Sequence, residues 1–315
     1  MASLPKLVDK SNIDSFLAGI DNVMTDCDGV LWRLDELVEG ADTVLNNLRK
    51  LGKKIFYVTN NSTKSRETLV QKCESLGFIA DKGEAISTSY IIAQHLKQIN
   101  FTKKVYVMGT TGLTSELDLE NIKYTGPGPD PVPENIFDLE KIIVLDPEVG
   151  CVVIGFDQHF NITKIMKAAS YLINTECIFL ATNRDERFPL RRTDLNFPGT
   201  GTFVNAVETA SGRKAESVGK PSPKMFTVLQ EKFNLDPSRT IMIGDRCSTD
   251  IMLGKNCGLQ TLGVLTGINS LKDYESWAAS DDPELWKLLP DYYIPSFRRF
   301  GPIITKLSFL KLVCS

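Results

Sequence analysis

Histidine is nearly absent from this 315-residue chain. There are two, His95 and His159, and neither sits in a motif. That argues against chemistry that passes phosphoryl groups through an imidazole. No Cys-x-x-Cys pair occurs, and the seven cysteines are scattered and odd in number. Such a pattern suits free thiols in a reducing compartment. Basic residues are in no surplus: the formal net charge of -3 argues against a nucleic-acid binder, which carries a basic face. No apolar run approaches the length of a membrane span. The opening residues, Met1 to Lys6, lack the apolar core of a secretion signal. Cys314 stands second from the end, so it makes no prenylation box. A cytoplasmic protein without membrane or nucleic-acid partners is expected.

What is present is an ordinary globular composition, 42% apolar and 24% charged, at a length that suits one large domain or two ordinary ones. Strand and helix patterns alternate. Apolar runs ending at Asp26 and at Val58 read as strands. Ala41–Leu51 and Ser65–Leu76 carry helical patterns, each stopped by a glycine, and Tyr90–Ile99 reads as a helix. The alternation implies a doubly wound, Rossmann-like parallel sheet covered on both faces. A new unit starts at Lys104–Gly109. It contains the irregular Gly126–Pro133 stretch, a strand at Cys151–Phe156, a helix at Ile162–Ile173 and a polar, arginine-rich loop from Asn183 to Thr202. The first pattern returns near Glu216 and ends in strands at Thr240–Ile243 and Leu259–Leu265.

The stretch Asp26-Cys27-Asp28-Gly29 follows the first apolar strand. Ligands of α/β sheets bind at the carboxyl ends of strands. Strand alternation would turn Asp26 and Asp28 to one side, where two carboxylates need a cation or a proton between them. Hard oxygen donors favour Mg2+. Asp26 can then act as a nucleophile and Asp28 as an acid and base. Alone, the motif could equally be a turn of solvated acids. Three further strand ends bear on that choice. Thr59, Asn60 and Asn61 can donate to phosphate oxygens or simply cap. Lys220, in Gly219-Lys220-Pro221-Ser222-Pro223, supplies a positive charge or is a loop lysine. Asp245, after Gly244, adds a carboxylate, and Asp250 could hold Lys220 or a metal-bound water. The joint order, Asp-x-Asp, Thr, Lys, Gly-Asp, decides between the readings.

That order resembles the haloacid dehalogenase superfamily of phosphatases. Asp-Cys-Asp-Gly-Val-Leu-Trp, Thr-Asn-Asn-Ser, Gly-Lys-Pro-Ser-Pro and Gly-Asp-Arg resemble its 4-nitrophenylphosphatase-like branch. The resemblance implies Asp26 as nucleophile and Mg2+ ligand, and Asp28 as acid/base that ligates through its backbone carbonyl. Asp245 would be the third ligand, and Thr59, Asn60, Asn61 and Lys220 would be phosphoryl-binding groups. It implies a catalytic core, 1–101 and 206–315, with an α/β cap domain inserted at 102–205, and a homodimer formed through the cap. The expected substrate is a small phosphorylated metabolite of the phosphoglycolate or glycerol-3-phosphate type. Pyridoxal phosphate is the alternative, and a protein phosphatase or a silent scaffold on the same fold are readings of other classes. In the branch's pyridoxal phosphatases a histidine that contacts substrate stands where this chain has Phe188 in its cap loop. Arg184, Arg187, Arg191 and Arg192 of that loop are either solvated surface or attract an anionic substrate tail. Cys247-Ser248 and the tail Phe309–Ser315 depart from the family pattern. Cys27, pointing away from the acids, is expected in the core.

Overall fold

The computed structural model describes residues 2–188, 192 and 194–313, with side chains to Lys306 in the last helix. It divides into two compact units. The first comprises Met1–Thr59, Leu69–Ile86 and Lys220–Ser315; the second comprises Asn60–Thr68 and Ser87–Gly219. The sequence pattern puts the inserted unit at 102–205. By packing, the second unit also takes in the helix Thr88–Gln98 and the helix Thr200–Ser211.

In the first unit, a seven-stranded sheet runs in the order Lys6–Leu7, Tyr292–Ile294, Gln260–Val264, Thr240–Gly244, Asn22–Asp26, Lys54–Thr59, Ala85–Ser87. The registered pairs are parallel. Asn22–Asp26 is central and buried along its whole length. That is why its successive residues Val23 and Met24, on opposite faces, are both apolar rather than alternating with polar ones. Val23, Ile55, Ile241 and Leu262 join Val44, Leu45 and Leu48 of the helix Ala41–Lys50 in the core. Cys27 is fully buried in the same core, as expected, and burial pushes its thiol well above the usual range.

The second unit has its own parallel sheet, ordered Glu216–Ser217, Ile178–Ala181, Val149–Ile154, Lys104–Met108, Tyr124–Thr125. Its core packs Val152, Ile154 and Phe179 against Ala168 of the helix Ile162–Tyr171 and Phe203, Val204 and Val207 of Thr200–Ser211. The Asn161 side chain caps the first of these helices, accepting from Lys164 N at 3.0 Å. The Gly126–Pro133 stretch is irregular, with positive φ at Gly126 and Gly128.

Several elements carry too little pattern to be foreseen. Trp32–Arg33 and Glu36–Leu37 form a two-stranded hairpin. The helices Thr111–Leu119 and Leu271–Ala279 have mixed faces, and the last helix, Phe297–Val313, runs through Pro302. The supposed tail from Phe309 continues that helix as far as Val313; Cys314 and Ser315 lie outside the described residues. Among the described residues, no helix is long and apolar enough to cross a membrane, and the six described cysteines are free.

Candidate active site

Register brings three strand ends together in the first unit. Asp26 lies opposite Val58, so Thr59 stands one step beyond it on the next strand. On the other side Thr25 faces Ile243, which sets Gly244 level with Asp26 and Asp245 just past it. Lys220 enters from a loop, its Nζ 2.5 Å from Asp26 Oδ1 and 2.8 Å from Asp250 Oδ1. Oxygens of Asp26, Asp245 and Asp250 lie within 4.8 Å of one another.

Glycines make room for these carboxylates. At Gly29, with φ +92°, a Cβ would stand 2.5 Å from Asp245 Oδ2; at Gly267 it would stand 1.8 Å away. A Cβ on Gly244 would meet Asp250 Cβ at 2.1 Å. Asp245 Oδ2 accepts from Ile268 N at 3.0 Å. Asp250 is aimed by a π-turn, Cys247–Ile251, a distortion common at functional sites. Its Oδ2 accepts from Arg246 N at 3.1 Å.

Three acids here share one ammonium, so their full ionisation would leave two negative charges in excess. Burial is the largest influence on Asp26 and raises it well above the carboxylate range; Lys220 opposes the rise, and Asp250 and Asp245 add to it. Burial, then the charge of Asp250, pushes Asp245 up to about 6. Burial works against the Lys220 ammonium, but Asp250 and Asp26 outweigh it and raise it. A hard divalent cation would cancel the excess and let Asp26 and Asp245 ionise. The oxygen-only donor set and the glycine-lined room fit such an ion.

The other expected residues are placed as follows. The strand ends at Asp26, so its alternation does not carry on to Asp28. Asp28 is exposed, in a turn, and its Oδ1 accepts from Trp32 Nε1 at 2.9 Å. Thr59 is buried at its strand end. Asn60 and Asn61 follow it in the chain but pack with the second unit. Asn60 Nδ2 lies 3.3 Å from Asp185, and the Asn60 carbonyl accepts from Asn183 Nδ2 at 2.8 Å. Asn61 Oδ1 accepts from Thr63 N at 2.9 Å, the turn-making role open to it from sequence. Asp250 holds Lys220, one of the two roles open to it from sequence, its Oδ1 2.8 Å from Nζ, and its carboxylate also lies within the acid cluster. Phe188 belongs to an aromatic group of the second unit, its ring 5.0 Å from Phe156 and 5.8 Å from Phe197. Arg184 pairs with Glu208 and Arg192 with Asp194. Arg187 is exposed, while Pro189 and Arg191 lie outside the described residues. Trp32 closes the Asp-Cys-Asp-Gly-Val-Leu-Trp motif but has no role legible in sequence, and Gly267 is marked only by its place after a strand.

Residues 23–123 match the family model of the haloacid dehalogenase-like hydrolases, and a second model of that kind matches 217–298. The glycerol-3-phosphate phosphatase of Gallus gallus is 40% identical, over 91% of this chain and 93% of its own. The chain belongs to the haloacid dehalogenase-like hydrolases. It is similar also to phosphoglycolate phosphatase 1A, chloroplastic, of Arabidopsis thaliana, at 40% identity over 92% of this chain and 78% of the relative. Among solved structures, a p-nitrophenyl phosphatase from Archaeoglobus fulgidus superposes with a TM-score of 0.74 and 25% identity, covering 90% of this chain and 98% of that one. These likenesses place this haloacid dehalogenase-like hydrolase in the 4-nitrophenylphosphatase-like branch.

Proposed function

We propose that this hydrolase is a Mg2+-dependent phosphatase of small phosphate monoesters, of the glycerol-3-phosphate or phosphoglycolate type. The observation that carries the reading is the buried cluster of Asp26, Asp245, Asp250 and Lys220 at the carboxyl edge of a parallel sheet. Asp26 attacks phosphorus, and the bond to the leaving oxygen breaks as Asp28 gives that oxygen a proton. Asp28 then takes a proton from water, which attacks the aspartyl-phosphate and frees Asp26. Thr59, Asn60, Asn61 and Lys220 hold the phosphoryl oxygens. Asp26, Asp245 and the Asp28 carbonyl would hold Mg2+, which when bound neutralises charge on the phosphoryl group.

Because the phosphoryl group is common to all substrates, choice among them falls to the inserted cap, 102–205, and to Phe188 within it. The cap also joins two copies into a homodimer, and the enzyme works in the cytoplasm. The test is a turnover screen across phosphoglycolate, glycerol 3-phosphate, pyridoxal 5′-phosphate and phosphopeptides, with and without EDTA. Activity on the first two, abolished by chelation, is expected. Pyridoxal phosphate as the best substrate overturns the substrate class, and undiminished turnover in chelator overturns the metal. Phe188→His should raise kcat/KM for pyridoxal phosphate relative to phosphoglycolate. An unchanged ratio assigns Phe188 to packing against Phe156 and Phe197 alone.

A further inference from the structure

Asp28 is exposed, in a turn past the end of its strand, yet a proton-transfer group must be held in one orientation. We infer that Trp32 is a positioning residue that holds Asp28 for proton transfer; the inference rests on the acid/base role proposed for Asp28. The indole is 2% exposed and its Nε1 donates to Asp28 Oδ1 at 2.9 Å. A buried indole N–H needs an acceptor, and here the acceptor is the carboxylate itself. The backbone closes the same loop: Gly29 N donates to the Trp32 carbonyl at 2.7 Å, and Leu31 N to the Cys27 carbonyl at 2.8 Å.

The ring cannot swing away. Phe78 meets it edge-on at 6.1 Å between centroids, and the Lys72 ammonium lies 4.7 Å above it. Lys72 is fixed in turn, donating to the Leu34 carbonyl at 2.6 Å where the hairpin turns through a left-handed Leu34. Trp32 thus occupies Oδ1 and leaves Oδ2 as the oxygen that passes the proton. In the first step the proton leaves Oδ2 for the departing oxygen as the Asp26–phosphorus bond forms. In the second, Oδ2 takes the proton of water as that bond breaks.

The leaving group separates positioning from mere packing. An alkoxide must be protonated as it departs, whereas 4-nitrophenolate leaves without a proton. The experiment measures kcat/KM for glycerol 3-phosphate and for 4-nitrophenyl phosphate in wild type, Asp28→Asn and Trp32→Phe. Asp28→Asn should lose about a hundredfold or more on the alkyl ester and much less on the aryl ester. Trp32→Phe should lose roughly tenfold on the alkyl ester and less than about twofold on the aryl one. Equal losses on both esters in Trp32→Phe, with the leaving-group dependence kept in Asp28→Asn, overturn the role of Trp32 alone. Absence of that dependence in Asp28→Asn overturns the acid role of Asp28, and Trp32's with it. Should Trp32→Phe fail to fold, a benzothienylalanine at position 32, which keeps the ring's shape and replaces N–H by sulfur, gives the same comparison.

Discussion

In the first unit, three buried carboxylates face one buried ammonium. In the second, each buried ionic side chain among the described residues has its match. Lys164 Nζ lies 2.5 Å from Asp157 Oδ2 and also donates to the Gly126 carbonyl, while Asp157 Oδ1 accepts from His159 N. Arg66 Nε reaches both oxygens of Glu116, at 3.1 and 3.0 Å, and its guanidinium stacks over Tyr90. Glu208 is shared by Arg184, Lys214 and the N–H of Ala215. Taking ions from water costs several kcal/mol each, so a matched set is a structural solution. A set with two charges left over serves something that arrives later. Imbalance, more than burial, marks the site in this fold.

The contrast breaks first at its catalytic end. Asp26→Asn keeps the volume but removes the nucleophile, so turnover should fall by several orders of magnitude. Because it also removes one of the excess charges, urea unfolding in metal-free buffer should show a stability no lower than wild type. A marked loss of stability would mean that the cluster is as structural as the matched pairs.

The mirror experiment is Asp157→Asn. It leaves Lys164 buried without its counter-charge and should destabilise by about 3–5 kcal/mol in urea unfolding. A cost below about 1 kcal/mol would remove the distinction between the two kinds of buried charge.

Magnesium sharpens the comparison without a substitution. An ion bound only by the folded cluster should stabilise by about 2.7 kcal/mol at a hundred times its Kd. Thermal melts with and without Mg2+ read this, and Asp245→Asn should need more ion for the same shift. A melt indifferent to Mg2+ in wild type would deny the cluster its cation.

The smallest effect is acid sensitivity of the matched set. Burial would raise Glu208, but the hydrogen bonds from Arg184, Lys214 and Ala215 outweigh it and lower it to about 2. A lowered folded-state pKa contributes stability that is complete above the ordinary glutamate value, near 4.5, and is lost as pH falls from there to about 2. Because Arg184 and Lys214 are largely exposed, the contribution should be only about 1 kcal/mol. Glu208→Gln should flatten the stability profile across that window, and an unchanged slope would assign the acid sensitivity to other carboxylates.

Much of this was legible in the residues. The strands ending at Asp26, Thr59 and Gly244 announce themselves because a strand buried on both faces carries adjacent apolar residues, here Val23-Met24, Ile55 to Val58 and Ile241 to Ile243. Asp26, Lys220 and Asp245 then follow from the strand-end rule. Where regular geometry stops, reading stops too. Asp28 lies past the end of its strand, where the alternation rule no longer governs its direction. Asp250 is aimed by an extra backbone turn that no side-chain period encodes. Trp32 reads as one more core aromatic until its N–H is given an acceptor. Asn60 follows Thr59 directly, yet its packing is decided by Asp185 and Asn183, well over a hundred residues away.

The order of strands in the first sheet has a consequence for how the chain is made. Asn22–Asp26 lies between Lys54–Thr59, which follows soon after it, and Thr240–Gly244, which does not. Asn22 meets its neighbour Thr240 across 218 residues of chain. At roughly 5–20 residues per second, the ribosome takes about 10 to 40 s to supply that neighbour. Throughout that interval a strand that is fully buried in the finished sheet has one edge unpaired, an edge that can recruit other chains. The inserted unit is completed within the same interval. A slower passage through its codons would lengthen the exposure, and a chaperone that shields strand edges would matter most before residue 240 emerges.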